Sequence, residues 1–395
     1  MSETTFDTTW KKSKIAEFCQ TFSGGTPNRR VKKYYVDGTI PWIKSGELNS
    51  KIIVGTEESI TELALKETSA KMVRKNDLLL ALYGATAGVI GVSKIEAAIN
   101  QAILCVRPDE TCLVEFLRYN LENQMKTIVN RLTQGGQPNL NANIVKATQV
   151  LLPTLPEQKK IAEILSTWDE AITKYEDLIA GAEKYRQSII SKILSKKYIS
   201  MSRSDEWKEV PLGTLIEQVS EKTTINNQYP ILTSSRKGIF LQEDYFKKSV
   251  ASSNNIGYKI IRNGEFTFRA MSDDGTFKFN RLLEHEIGIV SPAYSVFKAV
   301  HVEPRFLDVY MNSHIFTKEI AKASQGGTRL SLKYVALAKF KITVPNKKRQ
   351  VEIANLNDDI EHYIASLKGY KTQLILQKQG LMQRLLTGKV RVKLD

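Results

Sequence analysis

Two short stretches set polar side chains beside paired glycines: QGGQPNL, Gln134 to Leu140, and QGGTRLSL, Gln325 to Leu332. Paired glycines tolerate positive φ and leave backbone N–H groups open to an anion such as a phosphate. Gln134, Gln137 and Asn139 stand around Gly135 and Gly136, and Gln325, Thr328 and Arg329 around Gly326 and Gly327, as candidate readers. Amide and guanidinium groups offer the paired donors and acceptors that read base edges, whereas phosphate contacts supply affinity without sequence information. A plain glycine turn is the competing reading. Other polar candidates follow strand-like runs: Lys44 and Ser45 after TIPWI, Ser234, Arg236 and Lys237 at the corresponding place later, and Tyr83, Gly84 and Arg269 after two further runs. Asn100, Gln101, Asp273, Asp274 and Lys278 complete the set. A tyrosine can pack on sugar or base, an arginine can fork onto guanine, and an acid can accept from cytosine N4. For each of these a solvated surface role competes with base contact.

The elements that would hold these loops come in two copies. A shift of 192 positions superimposes the 153–197 region on the 345–389 region without a gap, with Pro153 on Pro345, Gln158 on Gln350, Ile161 on Ile353 and Ile172 on Ile364. In the first copy Ile161, Ile164, Trp168, Ile172, Tyr175, Ile179, Tyr185 and Ile189 recur every three or four residues, and in the second Ile353, Leu356, Ile360, Ile364, Tyr370, Leu374 and Leu381 follow the same rhythm. That spacing predicts a helix of about 38 residues, roughly 57 Å long, with a heptad-like apolar seam in each half. Neither helix can bury its stripe alone, so the two are expected to pack together across a pseudo-two-fold axis. Trp10 and Trp207 open the two halves with WKKSKI and WKEVPL, and MSRSDE from Met201 reads as a polar linker. Between each tryptophan and each helix lie short strand-like runs broken by Gly, Pro and Asn, with helical patterns LVEFLRYNLENQM and PRFLDVYMNSHIF late in each block. Each block is therefore a mixed α/β domain.

Composition narrows the function classes. The 395 residues allow two or more domains, and 57 Lys and Arg against 42 Asp and Glu leave a net charge of +15. Such an excess favours a polyanionic partner such as nucleic acid. Apolar runs such as LLLALYGA from Leu78 are too short to span a membrane, and MSETTFDTTWKK lacks an apolar signal segment, so a cytoplasmic protein is expected. Cys19, Cys105 and Cys112 are too few and too irregular for a disulfide framework or a metal site and are expected to be reduced and largely buried.

The piece LPTLPEQKKIAEILSTWDEAI, supported by WKKSKIAEF, SGGTP, IPWIKSGEL, QGGQPNLN and LLTGK, resembles the specificity subunits of type I restriction-modification systems over essentially the whole chain. The resemblance implies an α+β architecture of two target recognition domains, residues 1–153 and 201–345. Each would be followed by a long helix, within 154–200 and 346–395, the helices packing as an antiparallel coiled coil. It implies a non-catalytic subunit without cofactor or metal, whose partners are double-stranded DNA, two methyltransferase (modification) subunits and, through the complex, ATP-dependent restriction subunits. The second helix departs from the pattern, with NKKRQ in place of proline and Glu-Gln, which leaves the contacts of its first turn open. Motifs agree with a division of labour. The chain has no adjacent prolines for an amino-methyltransferase motif, Gly388 and Lys389 do not complete a phosphate-binding loop, and His285-Glu286 lacks the second histidine of a zinc helix. Two other classes remain to be separated: a coiled-coil scaffold that binds proteins, and an enzyme acting on DNA directly.

Overall fold

The computed structural model describes residues 10–133, 140–201, 207–246, 254–272, 275–323 and 330–394. It forms two compact units, one of residues 1–175 with 370–395 and the other of residues 176–369, so each unit takes part of both long helices.

Each domain is closed at its root by the same device. The strand Lys11–Lys14 pairs antiparallel with Gln149–Leu152, Lys11 opposite Leu152. In the other unit Trp207–Pro211 pairs with Lys341–Pro345, Lys208 opposite Val344. The return strand is moved by the 192-residue repeat, Leu152 to Val344, while the opening strand follows its tryptophan, Lys11 to Lys208, and each return strand leads to the proline that precedes a long helix.

In the first unit a five-stranded sheet runs in the order Cys19–Ser23, Ile103–Pro108, Leu78–Ala81, Ile90–Ser93 and Ile52–Ile53. A four-stranded sheet follows the order Ser59–Ile60, Ile40–Ile43, Ala97–Ile99 and Lys71–Val73. Leu78, Leu80 and Val106 face the Val114–Thr133 helix, while Leu79, Ala81 and Cys105 on the opposite side pack with Ile43 and Ile99. Strands buried on both faces explain why LLLALYG reads as a continuous apolar run. Gly24 is required by close approach, since a Cβ there would lie 1.8 Å from the Ile99 carbonyl oxygen. The SGGTP motif is thus explained by backbone packing. Cys105 and Cys112 are buried, Cys19 is half-buried, and all three are free thiols.

The second unit holds a four-stranded sheet in the order Ile216–Gln218, Tyr294–Ala299, Phe266–Arg269 and Asn280–Arg281, with further two-stranded pairs. Its core is aromatic: Phe266 stacks on Phe297 at 5.2 Å, and Phe268, Phe279 and Phe316 continue the cluster. The run YPILTSSRKGIF forms a hairpin, Leu232–Ser235 with Gly238–Leu241, turning at Arg236 and Lys237. PRFLDVYMNSHIF likewise forms two helices, Pro304–Met311 and His314–Ala323, because Ser313 caps the second with its hydroxyl.

The long helices span Leu155–Ile193 and Lys347–Leu385, 39 residues each, so both ends of one fall on both ends of the other under the 192-residue shift. Thr154 and Asn346 stand before them, and the Asn346 side chain accepts from the Arg349 N–H at 3.0 Å. In each first turn a buried glutamine brackets the helix to its own domain. Gln158 donates to the carbonyls of Thr111 and Pro153 and accepts from the Leu113 N–H at 2.8 Å. Gln350 donates to the Pro345 carbonyl and accepts from the Glu303 N–H, both at 2.8 Å. The contact left open by NKKRQ is therefore kept by its glutamine. Only the glutamate partner differs: Glu157 receives Arg391 at 2.6 Å, whereas Arg349 donates to Glu352 and Tyr198. Burial alone would raise the Glu157 carboxyl, but Arg391 and Thr154 hold it below the usual range. Arg391 also lies over the Trp10 ring, and Gly388, at φ +71°, turns the tail toward that ring.

Within each unit the helices run antiparallel, since rising numbers on one meet falling numbers on the other: Asp169 with Lys378, Tyr175 with Tyr370, Glu183 with Lys368, Arg186 with Glu361. Ile161, Ile179, Ile353 and Ile364 are buried, and Ile164, Trp168, Ile172, Ile189, Leu356, Ile360, Leu374 and Leu381 are half-buried. Two tyrosines that keep the spacing are exposed, Tyr185 at 58% and Tyr370 at 61%, the latter meeting Tyr175 at the rim of the seam, while Leu165 and Ile190 are buried. A straight helix drifts against a strict heptad, and the ends are buried by domain cores as well as by the partner helix, so the buried stripe wanders off the sequence register. No helix among the described residues is long and apolar enough to cross a membrane.

Candidate nucleic-acid interface

In the first domain two parallel strands, Ile40–Ile43 and Ala97–Ile99, end side by side. Their alignment brings Lys44 and Ser45 beside Asn100 and Gln101, and the Asn100 N–H donates to the Ile43 carbonyl at 3.1 Å. The Leu82 N–H reaches the Ala102 carbonyl at 2.8 Å, which adds Tyr83 and Gly84 to the same edge. Tyr83 is exposed, and Gly84 has φ +74°, the left-handed conformation that glycine adopts freely. The edge is already organised by charge. Lys44 is 3.0 Å from Glu57 and 2.8 Å from Glu58, and Glu58 also pairs with Arg29. Hydrogen bonds from Arg29 and then Lys44 lower the Glu58 carboxyl to about 2. A phosphate arriving at Lys44 would compete with two carboxylates. Asn100 turns its side chain back to the Ala102 N–H, and Gln101 accepts from Thr26, so both have local partners in this state.

Arg29 itself lies over the Tyr35 and Trp42 rings at 4.7 and 5.1 Å. Sequence reasoning passed over it, because nothing in the spacing of SGGTPNRR shows which aromatic rings a guanidinium will meet.

The second domain gathers its candidates around the hairpin. Ser234 is buried and accepts from the Asn280 amide at 2.8 Å, which joins the hairpin to the segment carrying Lys278. Arg236 and Lys237 are exposed at the turn, and Arg269 is exposed at the end of the strand that pairs with Asn280–Arg281. Lys278 and Lys237 line a cleft of about 1020 Å³ together with Arg281, Asn312 and the long-helix residues Arg186 and Glu361. Burial draws the Lys278 ammonium below its ordinary value, against the pull of Asp308. Such a side chain gains from an anion that displaces water around it.

Gln134, Gly135, Gly136, Gln137 and Asn139, Gln325, Gly326, Gly327, Thr328 and Arg329, and Asp273 and Asp274 lie outside the described residues. The described ends of both glycine loops do return to the domains. Leu140 enters the first core, and the Leu332 N–H bonds to the Ala270 carbonyl, one residue from Arg269.

Residues 7–183 match the family model of the Type I restriction modification DNA specificity domain. The Type I restriction enzyme MjaVIII specificity subunit of Methanocaldococcus jannaschii is 24% identical over 413 residues, covering 97% of this chain and 93% of that protein. Residues 7–183 thus carry a match to that specificity domain, and the whole chain is similar to a type I specificity subunit. The fold is similar to that of two solved chains. The S subunit of a type I restriction-modification system from M. genitalium aligns with a TM-score of 0.51 at 14% identity, covering 98% of both chains. A chain from a structure describing complex assembly and conformational transition of the type I R-M system aligns with a TM-score of 0.62 at 16% identity, covering 95% of this chain and 97% of that one. In this chain the repeated root strands and glutamine brackets are shared by both halves, and the candidate edges are not.

Proposed function

We propose that this chain is the non-catalytic, DNA-reading subunit of a type I restriction-modification complex, recognising an asymmetric bipartite site with one domain per half-site. It directs two methyltransferase subunits, and through them the restriction subunits, to that site. The observation that carries the reading is the combination of one frame with two different edges. Lys11–Lys14 with Gln149–Leu152, and Trp207–Pro211 with Lys341–Pro345, close the domains in equivalent registers. Lys44, Tyr83 and Gln101 at one edge have quite different counterparts in Lys237, Arg269 and Lys278 at the other. Different donors and acceptors on equivalent frames read different bases.

Domain exchange tests it. Replacing Trp10 to Leu152 with the first domain of another specificity subunit is expected to change one half of the methylated motif in cells and leave the other half as it was. Methylome sequencing that finds both halves altered would show that the domains do not read independently. Methylation that never depends on this chain would instead favour a protein scaffold.

A further inference from the structure

The long helices carry two charged pairs related by the same 192-residue shift that superimposes the helices themselves. In the first unit Lys378 on the second helix donates to Asp169 on the first at 2.5 Å. In the second unit Arg186, which occupies the place of Lys378, pairs with Glu361, which occupies the place of Asp169. The first pair sits where polar groups are costly to strand, since Lys378 is only 8% exposed. The second is more open, with the Arg186 and Glu361 side chains 40% and 52% exposed, although Arg186 also reaches the buried Asn357 side chain at 3.3 Å. Around Asp169 the domain adds Tyr119, whose hydroxyl donates at 2.7 Å, and Arg118 at 3.5 Å.

An apolar seam with a seven-residue rhythm resists a slip of one heptad only weakly, since at positions such as Ile172 and Ile179 or Ile353 and Ile360 one apolar side chain replaces another. The charges are less tolerant. A slip one way sets Lys378 opposite Ala162, although Asp169 then meets Lys371; a slip the other way sets Asp169 opposite Leu385 and Arg186 opposite Lys368. A buried ion pair adds little net stability, because desolvation offsets the attraction, but a stranded buried charge is strongly unfavourable. Polar residues in a helix seam therefore select register more than they stabilise it.

We propose that Asp169–Lys378 and Arg186–Glu361 lock the antiparallel register of the two long helices, and act as positioning residues for the length of the unspecified gap between the half-sites. The assignment rests on the bipartite reading above. In this assignment they act through the helices that carry the candidate readers, although Arg186 and Glu361 also line the cleft of Lys237 and Lys278.

The test uses the complete chain with its modification subunits and reads the methylome. A neutral variant combining Asp169→Asn and Lys378→Met keeps side-chain volume and leaves the Tyr119 hydroxyl an acceptor. It is expected to melt close to wild type and to keep both half-site sequences, but to methylate sites with more than one gap length. Charge reversal at Lys378 alone, Lys378→Asp, sets two carboxylates together and should lower methylation at the native gap by at least tenfold. A neutral variant that folds and still methylates the native gap alone would overturn the proposal, showing that the domain cores hold register unaided. So would a Lys378→Asp protein that methylates the native gap as wild type does. If wild type itself methylates no bipartite motif, the bipartite reading fails independently of any variant.

Discussion

Gln158 and Gln350 connect a motif to its physical cause. Each fills both ends of its amide with backbone partners, so that the first turn of a long helix and the start of the preceding domain helix are held by one buried side chain. Gln158→Ala would leave the Leu113 N–H and two carbonyls without that partner, and an orphaned buried group costs about 1–3 kcal/mol. The expected outcome is a clear fall in the melting temperature of the first unit, with Gln350→Ala doing the same to the second. Thermal denaturation followed separately for the two units checks it; a Gln158→Ala protein that melts like wild type would mean that water replaces the amide without loss.

For the helices as elements, burial sorts positions that periodicity treats alike. Ile161 is fully buried between the first domain core and the second helix, while Tyr185 keeps the same spacing with its ring exposed. Truncating a fully buried isoleucine to alanine costs about 2–5 kcal/mol, and an exposed side chain usually costs no more than about 0.5 kcal/mol. Ile161→Ala should therefore destabilise strongly and Tyr185→Ala hardly at all, as measured by denaturant midpoints. Comparable losses at both sites would mean that Tyr185 is covered in solution. Strand runs show the same division. LLLALYG is recognisable because both faces are buried, whereas YPILTSSRKGIF becomes a hairpin because Arg236 and Lys237 turn the chain in the middle of an otherwise strand-like run.

At the scale of the whole molecule, we propose that helix length sets the gap between the half-sites. One heptad adds about 10 Å of helix, the rise of roughly three base pairs of duplex. Inserting a heptad in both helices, after Tyr175 and after Leu367, places the new turns between the Asp169–Lys378 and Arg186–Glu361 pairs and leaves each pair in register. The unspecified gap should lengthen by about three base pairs while both half-site sequences stay as they were. A four-residue insertion is a stutter and should fit the seam less well. Methylome sequencing of the heptad variant decides the matter: an active protein that still methylates only the original gap would show that the spacing is set by the partner subunits or by flexible attachment of the domains. The excess of Lys and Arg belongs to this scale too. A net charge of +15 draws the chain to a polyanion without saying where on its surface bases are read.

What the sequence alone determined is what depends on local or repeated pattern. The 192-residue shift and the seam spacing gave two helices of about 38 residues in equivalent places, close to the observed 39, because seam spacing is written in consecutive residues. It also framed the domains through their tryptophan and proline landmarks, and the candidate readers at strand ends were visible as polar residues after apolar runs. Tertiary structure alone decided which of those readers stand together, since Lys44 meets Gln101 only through parallel pairing of distant strands, and Lys278 meets Ser234 only through Asn280. It also decided which charges face each other across the seam. Asp169 and Lys378 are 209 positions apart, and their meeting follows from antiparallel packing, a long-range geometry that no window of sequence contains.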